Sequence, residues 1–129
     1  MQTGTIKRDA SALLCLLGIT DIDGDLLGLC LRSVTERICN ATNQREIPAG
    51  LRMAAVYRTA GEYLRLKQSG LSEADMENAV AAAVAEIREG DIAVKFQADH
   101  TAEQKFAALV EALATAGEAD FARWRRIVW

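Results

Sequence analysis

Residues 47–70, IPAGLRMAAVYRTAGEYLRLKQSG, decide the fold. Met53, Val56, Tyr57, Ala60 and Leu64 recur at the three- and four-residue intervals that align on one side of an α-helix. Pro48 suits the first turn, where its missing N–H would have no partner, and Gly70 suits the residue past the end, where positive φ is wanted. Arg52, Arg58, Glu62, Arg65 and Lys67 fall largely off the apolar stripe, which predicts one buried face and one solvated face. The stretch reads as a central helix on whose stripe the other helices pack.

Working outward, the N-terminal side holds two more helical patterns. Thr3 or Thr5 can cap a first helix in which Ile6, Ala10, Leu13, Leu14 and Leu17 share a face and Gly18 ends the run. A second helix is predicted over about 25–40, with Leu27, Cys30, Leu31, Val34 and Ile38 on its stripe. Leu26 and Leu29 widen that arc, so the helix is expected to touch two partners, inside the fold or across a subunit boundary. Between the two helices Asp21, Asp23 and Asp25 crowd around Gly24. A calcium loop wants glycine at its sixth position and a bidentate glutamate at its twelfth. Counted from Asp21 those places hold Leu26 and Arg32, so Asp23 or Asp25 is read as a helix cap and no metal site is expected.

On the C-terminal side, Ser72-x-x-Asp75 resembles a capping box and opens a helix with Met76, Val80, Ala83, Val84 and Ile87 at helical spacing, stopped by Gly90. Five alanines in 79–85 favour helix and permit close approach of a neighbour. At 91–97 the period changes: Ile92, Val94 and Phe96 alternate with Ala93, Lys95 and Gln97, the two-residue repeat of a half-buried strand. The other strand candidate in the chain is the terminal Ile127-Val128-Trp129; if the two do not pair, a second subunit must supply the edge. Thr101 caps a further helix with Phe106, Leu109, Val110 and Leu113 as its stripe and Gly117 at its end, and a short helical turn over about 118–125 follows. The predicted fold is therefore mainly α: a bundle of four to five helices in a single domain over 1–129, with a strand or hairpin element near 91–97 and a strand-like tail.

At 129 residues, 50% of them hydrophobic, the chain suffices for one core. A net charge of −3 argues against a general nucleic-acid binder, which needs a cationic field. Cys15, Cys30 and Cys39 are odd in number and lie in apolar helical patterns, as small core residues of a reducing compartment would. No apolar run approaches the ~20 residues of a membrane span, and the N-terminus lacks the apolar region of a signal peptide, so synthesis in a cytoplasm and no membrane contact are expected.

Candidate chemistry is sparse. His100 stands alone in a polar turn, no Gly-rich phosphate loop is present, and Glu73, Asp75, Glu77, Glu86 and Glu89 fall on solvated helix positions. No catalytic, cofactor or metal residue is assigned and no enzyme activity is expected. What stands out is the C-terminal end, where Arg123, Trp124, Arg125, Arg126 and Trp129 lie within seven residues. Three readings are open for it: the rings fold back on the core, the cluster binds nucleic acid by stacking and charge, or it anchors a protein partner.

The order of the motifs carries a resemblance. Leu13 to Ile19, the aspartate-rich turn leading into Leu26-Leu27, the Ile47-Pro48-Ala49-Gly50-Leu51 opening, Glu62-Tyr63, Ile87-Arg88-Glu89-Gly90-Asp91 before the alternating strand, and the closing Trp124-Arg125-Arg126-Ile127-Val128-Trp129 together resemble the head-tail connector, or head-completion adaptor, proteins of long-tailed phages and prophages. The resemblance implies a helical subunit made in the bacterial host cytoplasm and located in the virion neck. It implies self-association into a closed ring, about twelve-fold. The ring would bind the portal protein on one side and a tail or neck completion protein on the other, while DNA passes through the channel without specific binding. Ile92, Val94, Phe96, Arg123, Trp124, Arg125, Arg126 and Trp129 are the interface residues expected on this reading. The rival is a small helical nucleic-acid-binding or DNA-packaging accessory protein, resting on the arginine cluster.

Overall fold

A computed structural model of the chain describes residues 2–86 and 101–124. The predicted element at 91–97 with Ile92, Val94 and Phe96, the tail at 127–129, and Gly90 and His100 lie outside the described residues. The described chain is mainly helical: α1 (Gln2–Leu16), α2 (Gly24–Thr42), α3 (Arg52–Lys67), α4 (Glu73–Glu86), α5 (Ala102–Ala114) and a single turn, α6 (Phe121–Trp124). Short 3-10 turns at Ala49–Leu51, Gln68–Gly70 and Glu118–Asp120 lead into α3, continue it and precede α6.

The central helix is as central as the 47–70 stretch predicts: α1, α2 and α5 all pack on α3, while α4 packs on α5. Contact on three sides makes its buried arc wider than a stripe. Val56, Ala60 and Leu64 are buried as expected, joined by Ala55, Thr59, Gly61 and Tyr63. Met53, predicted inside, is 49% exposed, Tyr57 is half-buried, and Arg58, predicted on the solvated face, is 4% exposed. Thr59 is tolerated inside because its hydroxyl donates to the Ala55 carbonyl at 2.7 Å within the same helix. Tyr63 accepts a 2.9 Å hydrogen bond at its Oη from the Asp23 N–H, tying α3 to the turn between α1 and α2.

The helix ends are set locally. Pro48 stands just ahead of the 3-10 turn in an extended conformation (ψ 141°), one step outside the helical turn predicted for it. Gly70 ends a tightened turn in which the Leu71 N–H reaches the Gln68 carbonyl; positive φ is found instead at Gly18 (+90°) and Gly117 (+74°). Asp23 caps α2, its carboxylate accepting from the N–H groups of Asp25 and Leu26. That helix outlasts the predicted end at Asn40 by two residues and stops at Asn43, a residue type that tolerates the left-handed conformation (φ 56°) it adopts there. Ser72 and Asp75 form the reciprocal pair predicted for α4, with Asp75 N–H donating to Ser72 Oγ at 3.1 Å and Ser72 N–H to Asp75 Oδ2 at 3.2 Å. Thr101 caps α5 in a full box with Gln104, a partner the sequence reading did not identify. The first helix begins at Gln2, so neither Thr3 nor Thr5 is its cap.

The stripes of α1, α2 and α5 are buried as predicted, and they meet α3 in one apolar core running from Ile6 to Ala116. On α4, Met76, Ala79, Val80 and Ala83 face that core, whereas Val84, predicted with them, is 56% exposed because a helix packed mainly on α5 among the described elements has one short inner edge. Ala79 and Ala83 of the alanine tract are buried, and on α3 the small residue at the contact is Gly61. A Cβ on Gly61 would lie 2.8 Å from Leu113 Cβ and 2.9 Å from the Ala114 backbone nitrogen, so α3 and α5 touch where no side chain fits. Gly117, at φ +74°, has its missing Cβ 2.6 Å from Ala54 Cβ and is fixed both by conformation and by space.

Gly61→Ala is expected to destabilise the chain by roughly 1–3 kcal/mol, the range for overpacking a close contact, despite alanine's better helix propensity. Thermal unfolding checks this; a Gly61→Ala chain melting at or above the parent temperature would contradict the α3–α5 contact. Thr101→Ala removes half of the α5 box and should cost about 1 kcal/mol in the same measurement.

Candidate interaction surface

The predicted interface residues divide. Arg123 is exposed on α6, and Trp124 is the last residue of that turn. Arg125, Arg126 and Trp129, with Ile92, Val94 and Phe96, lie outside the described residues, so the two groups are not seen together. What is seen is how the chain is led to its arginine- and tryptophan-rich end. After α5 it turns at Gly117, makes the 3-10 turn, and enters α6 against α2.

Arg58 holds this exit. From the middle of α3 its Nε–H donates to the Ala116 carbonyl at 2.7 Å, and its guanidinium lies 4.5 Å from the centroid of the Phe121 ring. The two contacts grip the exit on both sides of Gly117. Burial pulls the Arg58 guanidinium below its ordinary value, opposed in part by the nearby carboxylate of Glu118. Its Nη2 nitrogen is buried and, among the described residues, without a hydrogen-bond partner. An unpaired buried donor of this kind ordinarily costs about 1–3 kcal/mol. Spacing gave no signal for this residue, because nothing in a helical period links position 58 to positions 116 and 121.

The surface elsewhere carries single large apolar side chains. Leu26 on α2 is half-buried and Leu29 is 58% exposed, so the fold uses only part of the wide arc predicted there. A cleft of about 280 Å³ between α1 and α3 is lined by Leu13, Leu16, Met53, Val56 and Tyr57, with Asp9 at its edge paired to Arg52. A larger open cleft of about 750 Å³ lies where α4 and α5 begin, lined among others by Arg65, Glu73, Met76, Thr101 and Glu103. In it Arg65 pairs with Glu62 and Glu111 at 3.2 and 3.5 Å.

The acidic turn is occupied with structure: Asp23 is a cap, Asp25 sits in the first turn of α2, and Asp21 is exposed. Glu73, Asp75 and Glu77 are exposed on α4, and the side chain of Glu86 and all of Glu89 lie outside the described residues. Among the described residues no group of three or more His, Cys, Asp or Glu is placed to hold a metal ion, and no helix is long and apolar enough to cross a membrane.

The cysteines separate by burial. Cys30 is in the core, where burial and then Glu62 push its thiol up; Cys39 is half-buried and pushed up by burial and then Glu46. Cys15, predicted as a core residue, is exposed because α1 buries only the face one residue away, at Leu14. A thiol reagent at pH 8 should therefore label Cys15 rapidly in the native chain and Cys30 only as fast as the chain unfolds. Equal labelling of the two, read by peptide mass mapping, would contradict this assignment.

Compared with family models, with curated proteins and with solved structures, the chain matches none of them.

Proposed function

We propose that the chain is a structural subunit of the neck of a tailed virus particle, joining the portal vertex of the filled capsid to the tail or the next completion protein. It does no covalent chemistry and takes no cofactor. The ordered motifs from Leu13 to Trp129 carry this reading, because their order of first helix, acidic turn, Ile47-Pro48-Ala49-Gly50 helix opening, Gly90-Asp91 before an alternating stretch, and Trp/Arg end resembles that of connector subunits.

The physical features of the surface support it. A subunit that closes a ring needs apolar side chains left over by its own core, and Leu29 on α2 is one. A channel through which duplex DNA slides without sticking wants negative charge toward the phosphates. Asp21 and Asp25 in the turn before α2, and Glu73, Asp75 and Glu77 on α4, are exposed and available for that lining. The joints are the 91–97 stretch with Ile92, Val94 and Phe96, and the end with Arg123, Trp124, Arg125, Arg126 and Trp129, residue types over-represented at interface hot spots. An extended segment can add to a sheet edge of a neighbouring copy through main-chain hydrogen bonds.

Co-sedimentation with portal rings from the same viral genome tests the proposal. The chain should travel with the rings, and removal of residues 125–129 should weaken that binding by roughly 2 kcal/mol or more, about thirty-fold. A chain that stays in the supernatant while binding DNA with steep salt dependence would favour the packaging-accessory reading instead.

A further inference from the structure

Arg58 is a cation inside the bundle: it is 4% exposed, and among the described residues no carboxylate comes within ion-pair distance of it. Glu118 and Glu62 are near enough to be felt electrostatically, and Arg37 works against it from α2. One terminal nitrogen is buried without an acceptor among the described residues. Such a group is a poor means of stabilising a core, since an apolar side chain of the same length would fill the space without stranding a donor. What it does supply is direction. The Nε–H takes one specific carbonyl, that of Ala116, and the flat face of the guanidinium takes one specific ring, that of Phe121. Between those points lie Gly117, whose left-handed conformation turns the chain, and the 3-10 turn Glu118–Asp120. Phe121 is also the first residue of α6, the last described element before the end of the chain. An apolar contact could be satisfied by many placements of this segment; a directed N–H on one carbonyl together with a planar cation on one ring narrows them to few.

We propose that Arg58 is a positioning residue, a buried cation that clamps the 116–121 turn and fixes the placement of α6, the element through which the chain enters its arginine- and tryptophan-rich end. The proposal goes beyond the neck reading and stands whatever the end touches. It separates two properties that a plain core residue would move together: global stability and local order at the exit.

The test uses the full chain as Arg58→Met, which keeps length and apolar stem but loses charge and fork, and as Phe121→Leu, which keeps the arginine and loses the ring. Amide hydrogen exchange reports on Glu118, Asp120 and Phe121, whose N–H groups close the turn onto Thr115, Gly117 and Glu118 carbonyls. In both variants these amides should exchange roughly tenfold faster or more, while amides of α1 and α3 keep their parent rates. The melting temperature of Arg58→Met should equal or exceed that of the parent. Unchanged exchange at the turn in Arg58→Met would overturn the proposal by showing that Arg58 only fills space. A uniform rise across all helices with a lowered melting temperature would overturn it by making Arg58 an ordinary core residue.

Discussion

The structure depends on the close approach of α3 and α5 at Gly61. Leu113 and Ala114 sit where a side chain on residue 61 would be, so the two helices meet nearly backbone to backbone. Dispersion energy falls off steeply with distance, and a contact this close brings a large number of atom pairs to their optimum at once. It also sets the spacing of everything else. With α5 seated against one side of α3, α1 and α2 take the other two, and among the described elements α4 joins the core mainly by packing on α5. A helix wrapped on three sides keeps only a narrow solvated edge, at Met53, Arg65 and Leu66, and so α3 buries Thr59, Tyr63 and Arg58 along with its aliphatic residues.

Polar groups taken inside by that arrangement are handled in different ways. Thr42 and Thr59 turn their hydroxyls onto carbonyls of their own helices at 2.7 Å, a local solution that asks nothing of the rest of the fold. Tyr63 reaches across forty residues to the Asp23 N–H, so the same turn that caps α2 with its carboxylate is fixed to α3 by its backbone. Arg58, like the Thr35 hydroxyl, keeps a buried donor without a partner among the described residues, but it also grips the Ala116 carbonyl on the way to α6. These long-range contacts join the beginning and the end of the described chain to the same helix. The exit of the chain is thus located relative to the core, and an end rich in arginine and tryptophan needs that placement if it is to act as a joint.

Much of this was legible in the sequence, for a physical reason. Helices that pack by one face announce it in their period, and the predicted stripes of α1, α2 and α5 are the residues found buried. Caps that act within four residues, Asp23, Ser72 and Thr101, are equally local and equally visible. The misreadings occur where the environment is set from far away. Arg58 and Met53 exchange their expected sides because the placement of three neighbouring helices, not the period of α3, decides which positions are covered. Cys15 and Val84 are core residues by hydropathy and lie outside because α1 and α4 present narrower inner edges than their apolar residues suggest. The surface reading was less legible than the fold: Leu29 could be recognised as surplus to one helix face, but only the packed molecule leaves it exposed.

If α3 is the element on which all others rest, its backbone can open only when the whole molecule does. Native-state hydrogen exchange as a function of denaturant measures this directly. The amides of residues 58–64 should exchange with the free energy and denaturant slope of global unfolding, while those of α4 and α6 open at lower cost. Sub-global exchange of 58–64, faster than that of α1 or α4, would contradict the central place given to this helix.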